Sequence, residues 1–304
     1  MLNYLTVSFS ILSLSIWAFL NTIGAQKSPN KVEVTVLTPL PINSTHIPEA
    51  NAKKLLKSPQ LKKQVDSSLQ FALNIAQKHI AKNKFLKRIK YCKPNIKYQI
   101  HISRDYYFSK NESHLIIRRV NKQQILIDVF VKAGNDFKKV LSLQEEVLEY
   151  VSDTIQDIDG DGLKDYVIRT YSCCGCCLRA VSKVYVQKTQ GRFVVNPYKF
   201  MNPTFSPKEK IIRGICYGQA GDTEMYKYKW RGRQIDTLEF IAYQKRSNGE
   251  KTGKFLILRS RKSETNQNIL KVINKVPKEY LSIVGYDWFT GKIETYSFNQ
   301  HSTT

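Results

Sequence analysis

Residues 157–171 read Asp157-Ile-Asp159-Gly-Asp161-Gly-Leu163-Lys-Asp165-Tyr-Val-Ile-Arg-Thr-Tyr171, an acidic loop that runs directly into an apolar segment. The segment after Asp165 is rich in β-branched and aromatic residues, which is typical of a β-strand. Within the loop, two glycines allow the sharp turns that bring neighbouring carboxylates together. The stretch therefore predicts a metal site at the start of a strand in a β-rich protein.

The spacing of the acids in this loop indicates calcium. Ca²⁺ takes roughly six to eight oxygen ligands in a flexible geometry, whereas Mg²⁺ demands a tighter octahedron and usually keeps several waters. The predicted ligands are the carboxylates of Asp157, Asp159, Asp161 and Asp165 and the backbone carbonyl of Leu163. An EF-hand loop would end on Glu and enter a helix, but Ile168 stands at that position and a strand follows. We expect a structural Ca²⁺ site that is not an EF-hand; the alternative is an acidic turn without metal.

The first 25 residues have the pattern of a secretory signal peptide. Residues 5–20 are apolar apart from hydroxyl groups, and Gly24-Ala25 supplies the small residues of a cleavage site. We expect cleavage after Ala25 and a periplasmic or secreted mature protein. The alternative is a retained N-terminal membrane anchor, because no Lys or Arg precedes Leu5.

Positive charge is concentrated after the leader. The chain has a formal net charge of +23, and residues 26–100 contain fifteen Lys or Arg but three acidic residues. We assign residues 26–98 to a basic N-terminal segment. An apolar composition of 42%, of which aromatic residues contribute 11%, favours a packed globule over disorder.

An amphipathic helix is predicted over residues 60–87 of this segment. Ser58-Pro59 is a favourable helix start, and apolar residues follow at three- and four-residue steps. These apolar residues are Leu61, Val65, Leu69, Ala72, Ala76 and Ile80. The basic residues among and after these apolar positions are Lys62, Lys63, Lys78, Lys82, Lys84, Lys87 and Arg88. They form either a solvated face over a β domain or a face that binds an anionic polysaccharide or membrane surface, with nucleic acid less favoured.

Residues 99–304 read as a β domain that contains the calcium loop. The clearest strand segments are residues 116–119, 125–131, 166–171, 181–187, 226–230, 237–243 and 255–258. Similar turns recur at Gly134, Gly191, Gly232 and Gly291. Their spacing is close to that of propeller blades, so the prediction is a propeller-like meander of hairpins, with a sandwich or barrel as the alternative.

The loop and strand from Asp157 to Tyr171 resemble the calcium loops of the FG-GAP and VCBS repeat families. That resemblance implies a calcium loop between strands of propeller blades. The longer stretch to Trp230 is loosely similar to propeller-like periplasmic immunity proteins of bacteria, which inhibit lysozyme-like effectors. An inhibitor of a basic lysozyme needs acidic surface, so the charge of +23 weighs against that particular activity.

Six cysteines are expected to form disulfides after export. They are Cys92, Cys173, Cys174, Cys176, Cys177 and Cys216. The four clustered cysteines are spaced too closely for a typical zinc site. Cys92 and Cys216 are the expected partners from outside the cluster.

No local catalytic motif occurs in the chain, which favours a non-enzymatic protein that binds a protein or glycan partner through its loops. The alternative is an extracytoplasmic hydrolase of polysaccharide or peptidoglycan. Its acids would come from separate strands and would include Glu145, Glu146 or Glu149.

Overall fold

The computed structural model describes residues 59–94, 96–171, 178–189, 191–261 and 267–292. Over these residues the protein is mainly β, with a helix α1 (Pro59–Gln77) at the start and a short helix α2 (Tyr286–Thr290) near the end. Within these ranges neither helix has both the length and the apolar character that a membrane span requires. The predicted signal peptide and the cysteines at positions 173–177 lie outside the described residues.

Three open antiparallel sheets contain most of the strands. The five-stranded sheet runs β1 (Phe85–Lys93), β2 (Ile96–Asp105), β3 (His114–Val120), β4 (Gln124–Ala133) and β5 (Asp136–Glu146). The four-stranded sheet contains β6 (Tyr150–Gln156), β7 (Asp165–Tyr171), β8 (Ala180–Tyr185) and β11 (Tyr198–Met201). A ribbon of β9 (Gln187–Thr189) and β10 (Arg192–Phe193) is inserted between β8 and β11.

The six-stranded sheet is formed by the rest of the chain. It runs β12 (Pro203–Ser206), β13 (Ile211–Ile215), β14 (Met225–Arg231), β15 (Gln234–Lys245), β16 (Lys251–Leu258) and β17 (Ile269–Ile273). A 3₁₀ turn at Pro207–Glu209 joins β12 to β13, and another at Lys278–Tyr280 precedes α2. Strands adjacent in sequence are adjacent in this sheet because each hairpin returns the chain beside itself.

These sheets confirm the predicted mainly β fold, its preceding helix and its meander of hairpins. Each predicted strand segment coincides with observed strand, although residues 181–187 span the end of β8 and the start of β9. Gly134, Gly191 and Gly232 lie in hairpin turns with positive φ, as predicted. Gly291 instead follows α2 and ends it in a left-handed conformation. The sheets in the described part of the chain are open, so the barrel alternative is not indicated.

The three sheets stack in chain order, with one hydrophobic core between each two neighbouring sheets. The core between the five- and four-stranded sheets includes Ile116, Ile127 and Tyr166. The core between the four- and six-stranded sheets includes Val167 and Trp230. Because side chains alternate along a strand, Tyr166 and Val167 enter different cores. The four-stranded sheet is therefore buried on both faces.

Helix α1 covers the outer face of the five-stranded sheet. Its Leu69, Ala72 and Ala76 are buried against the sheet, and Val65 and Ile80 pack beside them. This apolar stripe was predicted from the sequence. The segment after β17 covers the outer face of the six-stranded sheet in the same way, where Tyr280 and Phe289 are fully buried. The outer faces of the five- and six-stranded sheets are thus shielded from water.

The predicted helix extends too far toward the C-terminus. Helix α1 ends at Gln77, a turn follows, and residues 85–93 form β1 instead of helix. Phe85, Ile89 and Tyr91 pack against α1 from the sheet, a pattern that a strand can satisfy with alternate residues. Tertiary packing has overridden the local basic and apolar pattern, which resembles that of a helix.

The basic segment and the β domain are not separate in the described part of the chain. The predicted boundary at residue 98 falls inside β2, which pairs with β1 on one side and β3 on the other. Helix α1 contributes to the same core as these strands. Residues 59–98 therefore complete the five-stranded sheet and its outer layer.

An ion pair links the five- and four-stranded sheets. The Arg118 guanidinium on β3 donates from Nε to Asp153 on β6 at 2.8 Å, and from Nη2 to the other carboxylate oxygen. Tyr150 also donates its hydroxyl to Asp153. The guanidinium holds the pKa of Asp153 below its usual range despite the burial of the carboxylate. Asp153 therefore stays charged between the two sheets.

Asn202 links the four- and six-stranded sheets. Its backbone φ is +45°, which brings the buried side chain between β8 and β13. The amide oxygen accepts from Ala180 N at 2.8 Å, and the amide nitrogen donates to the carbonyls of Leu178 at 3.0 Å and Ile215 at 3.1 Å. Asparagine tolerates this backbone conformation better than most residues, and all its amide groups are used.

Two of the six cysteines lie in the described part of the chain. Cys92 is exposed on β1 and Cys216 is buried after β13, and neither is bonded to another described residue. Their expected partners at positions 173–177 lie outside the described residues, so those disulfides stay a prediction. Burial raises the pKa of the Cys216 thiol to about 12. Cys92 and Cys216 belong to sheets separated by the four-stranded sheet, so they cannot bond to each other.

Replacement of Asp153 by Ala should lower the free energy of unfolding by about 3–5 kcal/mol, because it leaves the Arg118 charge buried and unpaired. Urea denaturation measures this loss. Glu250→Ala breaks an exposed pair with Arg246 and should cost less than about 1 kcal/mol. The double variant Arg118→Met, Asp153→Leu should recover much of the loss. Equal costs for the two single variants would contradict the assigned role.

Candidate functional site

The acidic loop joins β6 to β7 at the edge of the stacked sheets. Asp157 is half-buried just after β6, Asp159 is buried, and Asp165 is the fully buried first residue of β7. The strand on each side fixes the two ends of the loop because β6 and β7 pair from Gln156 and Asp165 onward. The loop is therefore a hairpin connection, as predicted, and not part of a helix–loop–helix unit.

Three of the predicted carboxylates converge. Asp157, Asp159 and Asp165 each offer one oxygen, and these three oxygens lie within 4.8 Å of one another. Two oxygens that are both within about 2.6 Å of one cation can be at most about 5.2 Å apart. These separations are compatible with one shared Ca²⁺. Among the described residues, no other set of three His, Cys, Asp or Glu meets this distance criterion.

Backbone amides hold these carboxylates in place. Asp157 accepts from Gly160 N at 2.7 Å and from Gly162 N at 3.0 Å. Asp165 accepts from Ile158 N and from Gln187 N, each at 2.9 Å. The loop thus folds around Asp157 and Asp165, and the second of these also binds the start of β9.

Burial and mutual repulsion disfavour the charged forms of two loop carboxylates. Burial raises the pKa of Asp165 to about 7, against the opposing effect of its two amide donors, and the nearby Asp159 and Asp161 raise it further. Burial and the charges of Asp161 and Asp157 raise the pKa of Asp159 to about 6. A bound cation would relieve both the desolvation and the mutual repulsion of these carboxylates.

Asp161 is not among the three converging carboxylates. Asp161 is exposed, and its Oδ1 accepts from Leu163 N at 2.7 Å. Its own amide donates to Asp159 at 3.1 Å. Asp161 therefore lies on the solvent side of the loop, and its ligand role and that of the Leu163 carbonyl stay predictions.

Two contacts that the sequence pattern does not reveal fix the loop to neighbouring elements. Gly160 has φ +76°, and a Cβ built there would lie 2.2 Å from the carbonyl oxygen of Pro207. The Gln187 amide, oriented to suit both neighbours, donates to Lys164 O at 2.9 Å and accepts from Gly191 N at 2.8 Å. The loop is thereby packed against the six-stranded sheet and the β9–β10 ribbon.

The glutamates considered for a hydrolase do not form a comparable group. Glu145 is buried and pairs with Lys183 of β8 at 2.6 Å, which ties β5 to the four-stranded sheet. Glu146 is exposed and Glu149 is half-buried in the next turn. The contacts of Glu145 are those of a structural ion pair.

Comparison of the chain with protein-family models, curated proteins and solved structures finds no match. The resemblance to FG-GAP and VCBS repeats and to periplasmic immunity proteins stays a prediction from the sequence.

Gly160→Ala should destabilise the protein more than Gly162→Ala. Both glycines have positive φ, which costs roughly 1–2 kcal/mol for alanine. Only the Cβ at position 160 meets a backbone atom, whereas the one at 162 has nothing within 4 Å. Thermal and urea unfolding of the two variants measure the difference. Equal destabilisation would show that contact with Pro207 does not constrain the loop.

Proposed function

We propose that this chain is an exported, calcium-stabilised β protein that binds a protein or glycan partner and catalyses no reaction. The observation that carries the proposal is the convergence of Asp157, Asp159 and Asp165 in the loop between β6 and β7. The proposal of export derives from the sequence of residues 1–25, which lie outside the described part of the chain.

The chemistry of the converging groups favours calcium over other metals. All three groups are carboxylates, the hard oxygen donors that Ca²⁺ prefers, and among the described residues no thiolate or imidazole joins them as a zinc site usually requires. Asp161, the Leu163 carbonyl and water would supply the remaining ligands. A Ca²⁺ ion would contribute charge neutralisation at the buried carboxylates.

The position of the loop supports a structural role for the cation. Asp165 receives a hydrogen bond from the β9 backbone, and Gly160 packs on Pro207 beside the six-stranded sheet. A cation that fixes Asp157, Asp159 and Asp165 would therefore strengthen contacts between neighbouring sheets. Such a site stabilises the scaffold without presenting a reactive group.

Two features support binding over catalysis. Glu145 is engaged by Lys183, and the other two candidate glutamates are not brought together with it in a buried site. The chain also carries a formal charge of +23, and such an excess favours association with acidic partners. We therefore favour a scaffold that presents a charged binding surface.

Calcium should raise the melting temperature of the purified protein, and chelation should reverse the rise. At a free Ca²⁺ concentration of about 100 times Kd, linkage predicts about 2.7 kcal/mol of stabilisation. For a domain of this size that corresponds to roughly 5–10 °C. Differential scanning calorimetry with Ca²⁺, Mg²⁺ or chelator measures the effect.

Asp159→Asn should abolish the calcium response, because it removes one charged ligand while its side-chain oxygen can still accept from Asp161 N. Asp136→Asn changes an exposed acid outside the loop and is the matched control. An unchanged melting temperature with Ca²⁺ in the unmodified protein would overturn the calcium assignment. Turnover of peptidoglycan or polysaccharide that Glu146→Gln removes would instead overturn the non-enzymatic assignment.

The calcium-induced gain in stability should be larger at about pH 8 than at about pH 5. The folded-state pKa values of Asp165, about 7, and Asp159, about 6, lie above the usual 3.8. Protonation therefore favours the folded, calcium-free protein at low pH, and this contribution is lost as pH rises through about 6–7. Calcium replaces the lost protons at high pH.

Melting curves at both pH values, with calcium and with chelator, test this dependence. Comparison with Asp159→Asn under identical conditions cancels the effects of other titrating groups, such as the buried His114, whose pKa is lowered to about 4 by burial. A calcium effect that is equal at both pH values would contradict the coupling of the carboxylates to the cation.

A further inference from the structure

Strand β1 is an exposed edge of the five-stranded sheet. It pairs with β2 along its whole length, from Phe85 opposite Arg104 to Lys93 opposite Ile96, with no register shift. Among the described residues, no strand pairs with its other side. In such an edge, alternate residues direct unpaired backbone N–H and C=O groups outward over about 30 Å.

Most of the exposed side chains of this edge are basic. Exposed cations lie on β1 and at Lys97 of β2, which pairs with Cys92. Neither β1 nor the part of β2 that pairs with it, from Ile96 to Arg104, contains an acidic residue. These cations are Lys87, Arg88, Lys90, Lys93 and Lys97. In the described part of the chain none of them forms an ion pair, whereas the adjacent Lys84 pairs with Asp105 at 3.0 Å.

The positive charge of this edge lowers the pKa of a histidine on the neighbouring strand. Arg88, His101 and Arg118 lie in one row across β1, β2 and β3. Burial lowers the pKa of His101, and the positive charges of Arg88 and Arg118 lower it further. The edge therefore has a positive field that the neighbouring strands do not neutralise.

From these features we infer that β1 binds an extended acidic segment of a partner protein, which adds to the five-stranded sheet as a further antiparallel or parallel strand. The exposed backbone supplies hydrogen bonds, and Arg88 and Lys90 face the acidic side chains of the incoming strand. Leu86, which is 54% exposed on the same face as these cations, offers an apolar contact. The inference rests on the proposed binding function and names the surface and the chemistry of its partner.

Charge also explains why this edge would select a partner instead of a second copy of itself. Two β1 strands placed side by side would bring like charges opposite one another, which destabilises strand pairing. A glycan or a lipid surface would neutralise the cations but would leave the regular row of backbone donors and acceptors unpaired. An acidic strand satisfies both the charges and the backbone.

Fluorescence anisotropy with a labelled nine-residue peptide of alternating Glu and Val tests the inference on the full chain. The double variant Arg88→Glu, Lys90→Glu should weaken binding at least about tenfold. Lys188→Glu, Lys254→Glu makes the same change of charge at exposed positions on other strands and should alter binding by less than about twofold. The peptide N-methylated at every residue should fail to bind the unmodified protein, because neither of its edges can then donate hydrogen bonds to the β1 backbone.

Four results would overturn the inference. The first is binding of the N-methylated peptide, or of an acidic oligosaccharide, that is as tight as binding of the unmodified peptide. The second is an equal loss of peptide binding in both double variants, and the third is dimerisation of the chain that the β1 variant disrupts. The fourth is absence of peptide binding together with protection of Cys92 from thiol reagents. The last would mean that residues of this chain cover the edge. Each variant is also melted with and without calcium. If the calcium response is retained but the β1 double variant binds the peptide as tightly as the unmodified protein does, only the inference about β1 fails. If calcium stabilises neither the unmodified protein nor any variant, the proposed calcium scaffold fails.

Discussion

Strand β7 is buried on both faces, and the two cores that join the three sheets meet there. Tyr166 and Ile168 pack toward the five-stranded sheet, while Val167 packs toward the six-stranded sheet. A strand with two buried faces cannot shift its register by one residue without exchanging the side chains of both cores. The first residue of β7, Asp165, is therefore held at a fixed position, and with it the end of the acidic loop.

Polar contacts between the sheets are specific and few, and each one fixes an arrangement that apolar packing alone would leave free. The Arg118–Asp153 pair aligns the five- and four-stranded sheets, and the Asn202 amide aligns the four- and six-stranded sheets. Asp165 adds a hydrogen bond to β9. These groups are buried, so their partners cannot be replaced by water and the relative placement of the sheets is well defined.

The two kinds of charge are separated in the fold. Carboxylates are concentrated in the β6–β7 loop, where burial raises the pKa of Asp159 and Asp165. Cations are concentrated on β1, at the edge of a different sheet, where they remain exposed. The acidic loop and the basic edge belong to different sheets, and no ion pair joins them in the described part of the chain. This separation supports a cation at the first site and an acidic partner at the second.

The local patterns of the sequence determined the strands, the apolar stripe of α1 and the spacing of the loop carboxylates. Alternation, helical periodicity and glycine-containing turns depend on neighbours within a few residues, so these features were predictable. Tertiary structure alone decided that residues 85–93 form a strand, that Cys92 is exposed whereas Cys216 is buried, and that Pro207 and Gln187 fix the loop. The Arg118–Asp153 contact, 35 residues apart, is of the same kind. Such contacts depend on which sheet faces pack together, and that information is not contained in any short segment of the chain.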